Sequence, residues 1–212
     1  MEIDIIKPPD WKMNQYKVAG KNPATNRKKK VSVVSLSNDE QTVIARSGLI
    51  DVDSVSLVFD EPSNEQLGFA SDLGIPIDCS FSKQDYSALI SKATGDEPND
   101  SAPLDVARFA ERINVYLSSF TSFPRAYNDI YYKMNLFEKI EFFAFSVYQY
   151  VYGFACYDYI HHSNVRLFNN FAAEHVDDNK FIKSLNCYCG ADLLPNHPIK
   201  NSYAFQVCKK SL

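Results

Sequence analysis

Glycine is scarce in this chain, 7 residues in 212, and proline adds only 10. Set beside 45% hydrophobic residues, that scarcity excludes a collagen-like rod and a disordered tail. Long apolar runs are missing too. The longest uncharged stretch, Phe142 to Tyr157, has 16 residues and carries Gln149 and four tyrosines. A bilayer span needs about 20, so the stretch reads as a buried helix and no membrane is expected among the partners. The opening Met1-Glu2-Ile3-Asp4 is acidic and Pro8-Pro9 interrupt any apolar segment, which argues against a secretory signal. Five cysteines, an odd number without framework spacing, fit reduced thiols and a cytoplasmic protein. A net charge of −4 excludes a uniformly basic nucleic-acid coat, though not a local basic patch. The sequence has no P-loop, no G-x-S-x-G, no H-E-x-x-H and no R-x(4–6)-H pairing.

What is present is unevenly distributed. Residues 1–50 hold nine basic and five acidic side chains, and residues 51–100 two basic and eleven acidic. Residues 101–212 are nearly balanced, with eleven basic and ten acidic. Of the 29 aromatic residues, 23 lie beyond residue 100. Two compositional regimes therefore meet near that point.

The first regime reads as a small β-β-α-β unit over residues 1–61. Tyr16 and Val18 lie on one face of a strand over Asn14–Ala19, and a turn follows at Gly20–Asn26. A β-rich run covers Lys30–Leu36. Ser37-Asn38-Asp39-Glu40 has the form of a capping box, opening a helix that Gly48 ends. Val55, Leu57 and Phe59 alternate in a returning strand over Ser54–Phe59. Residues 62–93 form a helical hairpin. Ser63-x-x-Gln66 caps its first helix, Gly74-Ile75 stop it, and Ser82-x-x-Asp85 caps the second, loosely, because Asp stands for Glu or Gln. Thr94 to Pro103, rich in turn formers and acids, reads as a linker. Residues 104–212 read as a mainly α-helical, aromatic-rich domain. Helical spacing runs from Leu104 to Phe120, and a long central helix is expected from Phe137 to Tyr159. Shorter helices follow at Val165–His175 and Asn179–Tyr188, and Tyr203–Val207 fits a strand or a last helical turn. The fold class expected is α+β. No internal repeat beyond the recurring cap-and-stop punctuation is evident.

The pattern Pro62-Ser63-x-x-Gln66-Leu67-x-Phe69-Ala70-x-x-Leu73-Gly74-Ile75, followed by Ser82-Lys83-x-x-Tyr86-Ser87-x-Leu89-Ile90, resembles the SAP-like helical hairpin of phage and bacterial DNA-associated proteins. The resemblance covers about 30 residues. It implies a small interaction or nucleic-acid-associated module and brings no catalytic residues. The hairpin's own charge is acidic, Glu65, Asp72, Asp78 and Asp85 against Lys83 and Lys92, whereas phosphate binding depends on cations.

Three groups of side chains carry chemistry. Arg27-Lys28-Lys29-Lys30, with Lys12, Lys17 and Lys21 upstream, form a basic hairpin able to straddle a phosphate backbone, with Trp11 and Tyr16 near enough to stack on bases. The competing readings are a solvated turn whose lysines guard an edge strand, or electrostatic pairing with the acidic 51–100 segment. Cys187, Cys189, His197 and Cys208 are zinc ligands by type, which makes zinc the one cofactor to consider, yet their spacing matches no standard finger and reduced structural thiols are the competing reading. His161, His162, Glu174 and His175 are candidates for acid–base chemistry or metal binding, and equally ordinary residues of helix ends. The tyrosines at 127, 131, 132, 148, 150, 152, 157 and 159 read chiefly as core. The reading expected is a non-enzymatic accessory or adaptor protein that works through protein contacts and nucleic-acid contact at the basic hairpin; the SAP-like resemblance implies an association with phage or mobile elements. The alternative is an enzyme or effector with a His/Glu site in the helical domain.

Overall fold

In the computed structural model, which describes residues 9–153, 156–188, 190–193 and 199–212, the alternation Tyr16, Val18 becomes the central strand of a sheet. β1 (Asn14–Lys21) pairs antiparallel with β2 (Lys28–Ser35) on one side and β3 (Ile50–Val58) on the other. The Asn22 side chain shapes the β1–β2 turn by accepting from the amides of Ala24 and Thr25, and Asn26 takes a left-handed φ of 53°. Helix α1 (Glu40–Ser47) lies on the inner face, where Tyr16, Val18, Val33, Val43 and Leu49 form a core. Its cap is Asp39, two residues beyond the expected Ser37. The Asp39 carboxylate accepts from Thr42 N at 2.8 Å and Thr42 Oγ1 at 2.7 Å. Gly48 ends the helix with φ 63°.

β3 starts four residues earlier than its apolar alternation suggests. A bulge opposite Ala19–Lys21 and a left-handed Asp51 let the chain enter the sheet at Ile50. Here Gly20 is required, because a Cβ on it would lie 3.0 Å from the Ile50 carbonyl oxygen.

Helices α2 (Asn64–Asp72) and α3 (Lys83–Ala93) pack together as a hairpin. Ser63 caps α2 as expected, but the Gln66 side chain reaches across to Lys83 O (2.8 Å) and Ser87 Oγ (3.0 Å) instead of back to the cap. The looser sequence match, Ser82 with Asp85, is the one that forms a reciprocal capping box. Residues 94–103 are tied down at several points. Lys92 donates to Asp100 O and Ser101 Oγ, Ala102 N donates to Thr121 O, and Trp11 Nε1 donates to Ala102 O.

Helix α4 (Leu104–Arg112) then ends far short of Phe120, because Asn114 adopts φ 59°. This stop reveals a repeat. Shifted by 40 residues, α2 overlays α4, Gly74 overlays Asn114, and α3 overlays α5 (Phe123–Lys133) in start and length. The backbone bonds recur in step. Ile75 N to Ala70 O is matched by Val115 N to Ala110 O, and Phe81 N to Asp78 O by Thr121 N to Ser118 O. Even the side-chain turns match, Ser80 N to Asp78 Oδ1 and Phe120 N to Ser118 Oγ. Between residues 63–82 and 103–122 only Phe69/Phe109, Ala70/Ala110 and Ser82/Ser122 are identical, three of twenty positions, which is why the sequence shows no repeat.

The chain forms two compact units, Met1–Phe123 and Pro124–Leu212. In the second, α6 (Leu136–Tyr152) is central and packs against α7 (Val165–His175) and α9 (Tyr203–Ser211), while α8 (Asn179–Leu185) packs on α9. Asn135 and Glu138 cap α6 reciprocally, and Gly153 (φ 70°) stops it seven residues before Tyr159 would. Ile140, Phe142, Phe143, Ala144, Phe145 and Val147 are buried along it, with Phe143 against Phe181 and Tyr188, and Phe145 against Phe168. Gly190 sits so close to the α5 backbone that a Cβ would meet Tyr127 O at 2.4 Å. Tyr203–Val207 belongs to helix α9. A three-stranded antiparallel sheet with helices makes the fold α+β. Among the described residues no helix is long and apolar enough to cross a membrane.

Candidate nucleic-acid interface

The period-2 geometry of strands divides the basic run. In the β1–β2 register Lys28 stands opposite Lys21, Lys29 opposite Gly20, Lys30 opposite Ala19, and Ser32 opposite Lys17. Gly20 shares the parity of buried Tyr16 and Val18, so Lys29 extends from the α1 side of the sheet. Lys28 and Lys30 join Lys17 and Lys21 on the opposite face. β3 adds Ser54 beside Ala19 and Ser56 beside Lys17. Four lysines therefore rise from a sheet face whose intervening side chains are Ala19, Ser32, Ser54 and Ser56.

Two carboxylates border that face. Lys21 Nζ lies 3.0 Å from Asp51 Oδ2, and Lys28 Nζ 3.7 Å from Asp53 Oδ2. The Lys28 side chain is 85% exposed and that of Asp53 58%, so the pair is screened and contributes little. A phosphate approaching Lys28 competes with a weak partner. At the other end the face is closed. Val34, opposite Gln15, is 2% exposed, and Asn114 accepts from its amide at 2.9 Å.

The two stacking partners expected beside the basic run are withheld. Trp11 (8% exposed) and Tyr16 (9%) belong to the core, Trp11 donating to Ala102 O and Tyr16 OH to Asn38 Oδ1. Their proximity in sequence reflects the apolar alternation that buries them. What the face offers is cations and hydroxyls, the chemistry of backbone contact rather than base readout.

The His/Glu candidates sit in different surroundings. His161 is exposed and pairs with Asp158 Oδ2 at 2.9 Å. His162 is 5% exposed among Phe145, Tyr148 and Phe168. Its Nδ1 accepts from Asn164 N, and burial pushes its pKa below the usual histidine range. Glu174 is exposed, and His175 stacks on Phe181 with Asp178 at 3.4 Å. Of the zinc candidates, Cys189 and His197 lie outside the described residues. Cys187 is exposed, whereas Cys208 is fully buried and burial drives its thiol pKa well above the ordinary value. Among the described residues no three His, Cys, Asp or Glu side chains are grouped to hold a metal ion.

Sequence reading missed one polar cluster in the first unit. Asp85, 5% exposed, accepts from Ser82 N and Oγ at 2.8 Å and from Ser118 Oγ at 2.6 Å. Tyr116 beside it has its phenol pKa raised, first by burial and then by the Asp85 charge. A cavity of about 70 Å³ opens there, lined by Lys12, Gln15, Asp60, Gln84, Asp85 and Tyr116 among others. The two Ser82 bonds lie within the first repeat and the Ser118 bond joins it to the second, which gives the cluster a structural role. Its only sequence signal was the capping box. No family model, curated protein or solved structure matches the chain.

Proposed function

We propose that this chain is a non-enzymatic accessory protein that holds nucleic acid by its phosphate backbone through the lysine face of the sheet. The observation that carries this reading is the strand register, which brings Lys17 and Lys21 onto the same face as Lys28 and Lys30. Cations spaced along a flat face can each displace a condensed counterion, and that release drives sequence-independent binding. With Trp11 and Tyr16 in the core, neither stacks on bases, and phosphate contact gives little preference for sequence. The SAP-like resemblance of residues 62–93 is in keeping with a nucleic-acid-associated protein of phage or mobile elements, although the contact surface proposed here is the sheet and not that hairpin.

The test is fluorescence anisotropy with a short DNA duplex of arbitrary sequence at low salt. Lys28→Glu with Lys30→Glu should abolish binding, while Lys29→Glu, on the opposite face, should weaken it less. Undiminished binding by the first variant would sink the reading.

A further inference from the structure

The second unit has no part in the sheet contact, yet its charge is sharply divided. Residues 129–178 hold seven acids and three basic side chains, whereas residues 179–212 hold five lysines, no arginine and one acid, Asp192. All five lysines, at 180, 183, 200, 209 and 210, are exposed. Among the described residues none of them forms a salt bridge, unlike Lys21 and Lys28 on the sheet.

The packing of α8 on α9 gathers these lysines around a tyrosine. Ser184 Oγ on α8 accepts from Ala204 N on α9 at 3.0 Å. Ala204, Phe205 and Cys208 are the buried side of α9, which leaves Tyr203, Gln206 and Lys210, spaced i, i+3 and i+7, along its exposed side. Lys180 reaches that ridge from the first turn of α8, its Nζ 4.0 Å from the centre of the Tyr203 ring. Lys200 lies beside it, its carbonyl accepting from Gln206 Nε2 and its ammonium 4.9 Å from the centre of the Tyr150 ring. The helix dipole accounts for Lys209 and Lys210, which stand in the last turn of α9. It does not account for Lys180, because the first turn of a helix disfavours a cation. Lys180 is held there by a ring that is itself 37% exposed, in a unit that buries most of its described rings.

We propose that the α8–α9 ridge binds single-stranded nucleic acid, with Tyr203 stacking on a base and Lys180, Lys200 and Lys210 meeting the flanking phosphates. Cations beside an exposed aromatic ring hold single strands with little regard to sequence, because every base has a face to stack. A base that takes the Tyr203 ring frees the Lys180 ammonium for the neighbouring phosphate. The bases of a duplex are stacked on one another and do not reach the ring. This ring separates the ridge from the sheet face, whose four lysines are interspersed with Ala19, Ser32, Ser54 and Ser56. It also argues against an acidic protein segment, which would use the lysines and gain little from Tyr203. The ridge belongs to the second unit, and its binding does not depend on the lysine face.

The experiment uses the full chain carrying Lys28→Glu and Lys30→Glu, so that the sheet face is removed at the start. It follows the anisotropy of a labelled oligothymidylate of about 10 nucleotides at low salt. Saturable binding is expected. Lys180→Glu with Lys210→Glu should weaken it about tenfold or more, since each lysine lost is a counterion no longer released. Tyr203→Leu should weaken it about fivefold or more, while Tyr203→Phe, which keeps a ring to stack, should bind like the parent. No saturable binding, or equal binding by the double glutamate variant, overturns the proposal. So does a Tyr203→Leu variant that binds like the parent, or displacement by polyglutamate at equal charge, because the ridge would then be a site for acidic protein. Failure on any of these counts leaves the lysine face untouched, and loss of duplex binding in the Lys28→Glu, Lys30→Glu parent speaks to that face alone.

Discussion

Asp85 shows at the scale of one residue how a weak sequence signal hides a strong structural commitment. Its carboxylate takes three hydrogen bonds from Ser82 and Ser118 while 5% exposed. Removing it strands buried donors at the junction of the two repeats, so Asp85→Ala should cost about 3 kcal/mol in a urea melt, with Asp85→Asn in between. Capping alone is worth about 1 kcal/mol, and a loss of that size would mean that the Ser118 bond contributes nothing. Glu141 is a buried carboxyl of the second unit, held by Asn169 Nδ2 and Tyr159 OH. Burial raises its pKa, partly opposed by those two bonds. The folded state therefore keeps a proton that the unfolded chain releases, and stability falls as pH rises from the ordinary carboxylate value through the raised one. Glu141→Gln should flatten that limb in melts across the acidic range, and an unchanged pH profile would contradict the assignment.

Elements explain why much of the fold was legible and the repeat was not. Caps and stops are local chemistry: Ser63, Ser82, Gly48 and Gly74 announce their roles with neighbours three or four residues away. The repeat shares geometry rather than residues, and its second stop uses Asn114, one of the few non-glycine types that tolerate a left-handed φ. That asparagine also clamps β2 with both ends of its amide. Asn114→Gly keeps the turn and loses the clamp; Asn114→Ala loses both. Thermal melts should rank wild type above Asn114→Gly and Asn114→Gly above Asn114→Ala, the first step about 1 kcal/mol. A reversed order would show that the clamp is idle. The lysine face has the opposite history. Each lysine was visible, but their sharing of one face depended on a pairing register that a six-residue turn decides, and a shift of one residue exchanges the faces.

At the scale of the whole molecule, the −4 net charge conceals a division of labour. Four of the nine basic side chains of the first fifty residues rise from one sheet face, bordered by Asp51 and Asp53, and the helical hairpin that follows is acidic. The aromatic helical unit, by contrast, spends most of its described rings on its own interior, and its described histidines are engaged by Asp158, Asn164 and Phe181. The proposed phosphate contact rests on the first of these surfaces, the lysine face.

The salt dependence of duplex binding tests that account most directly. If Lys17, Lys21, Lys28 and Lys30 each neutralise a phosphate, the logarithm of the association constant should fall against the logarithm of salt concentration with a slope of about −3 to −4. Lys28→Gln with Lys30→Gln should bring the slope to about −2. A slope near zero, or one that this double substitution leaves unchanged, would contradict the lysine face as the nucleic-acid contact.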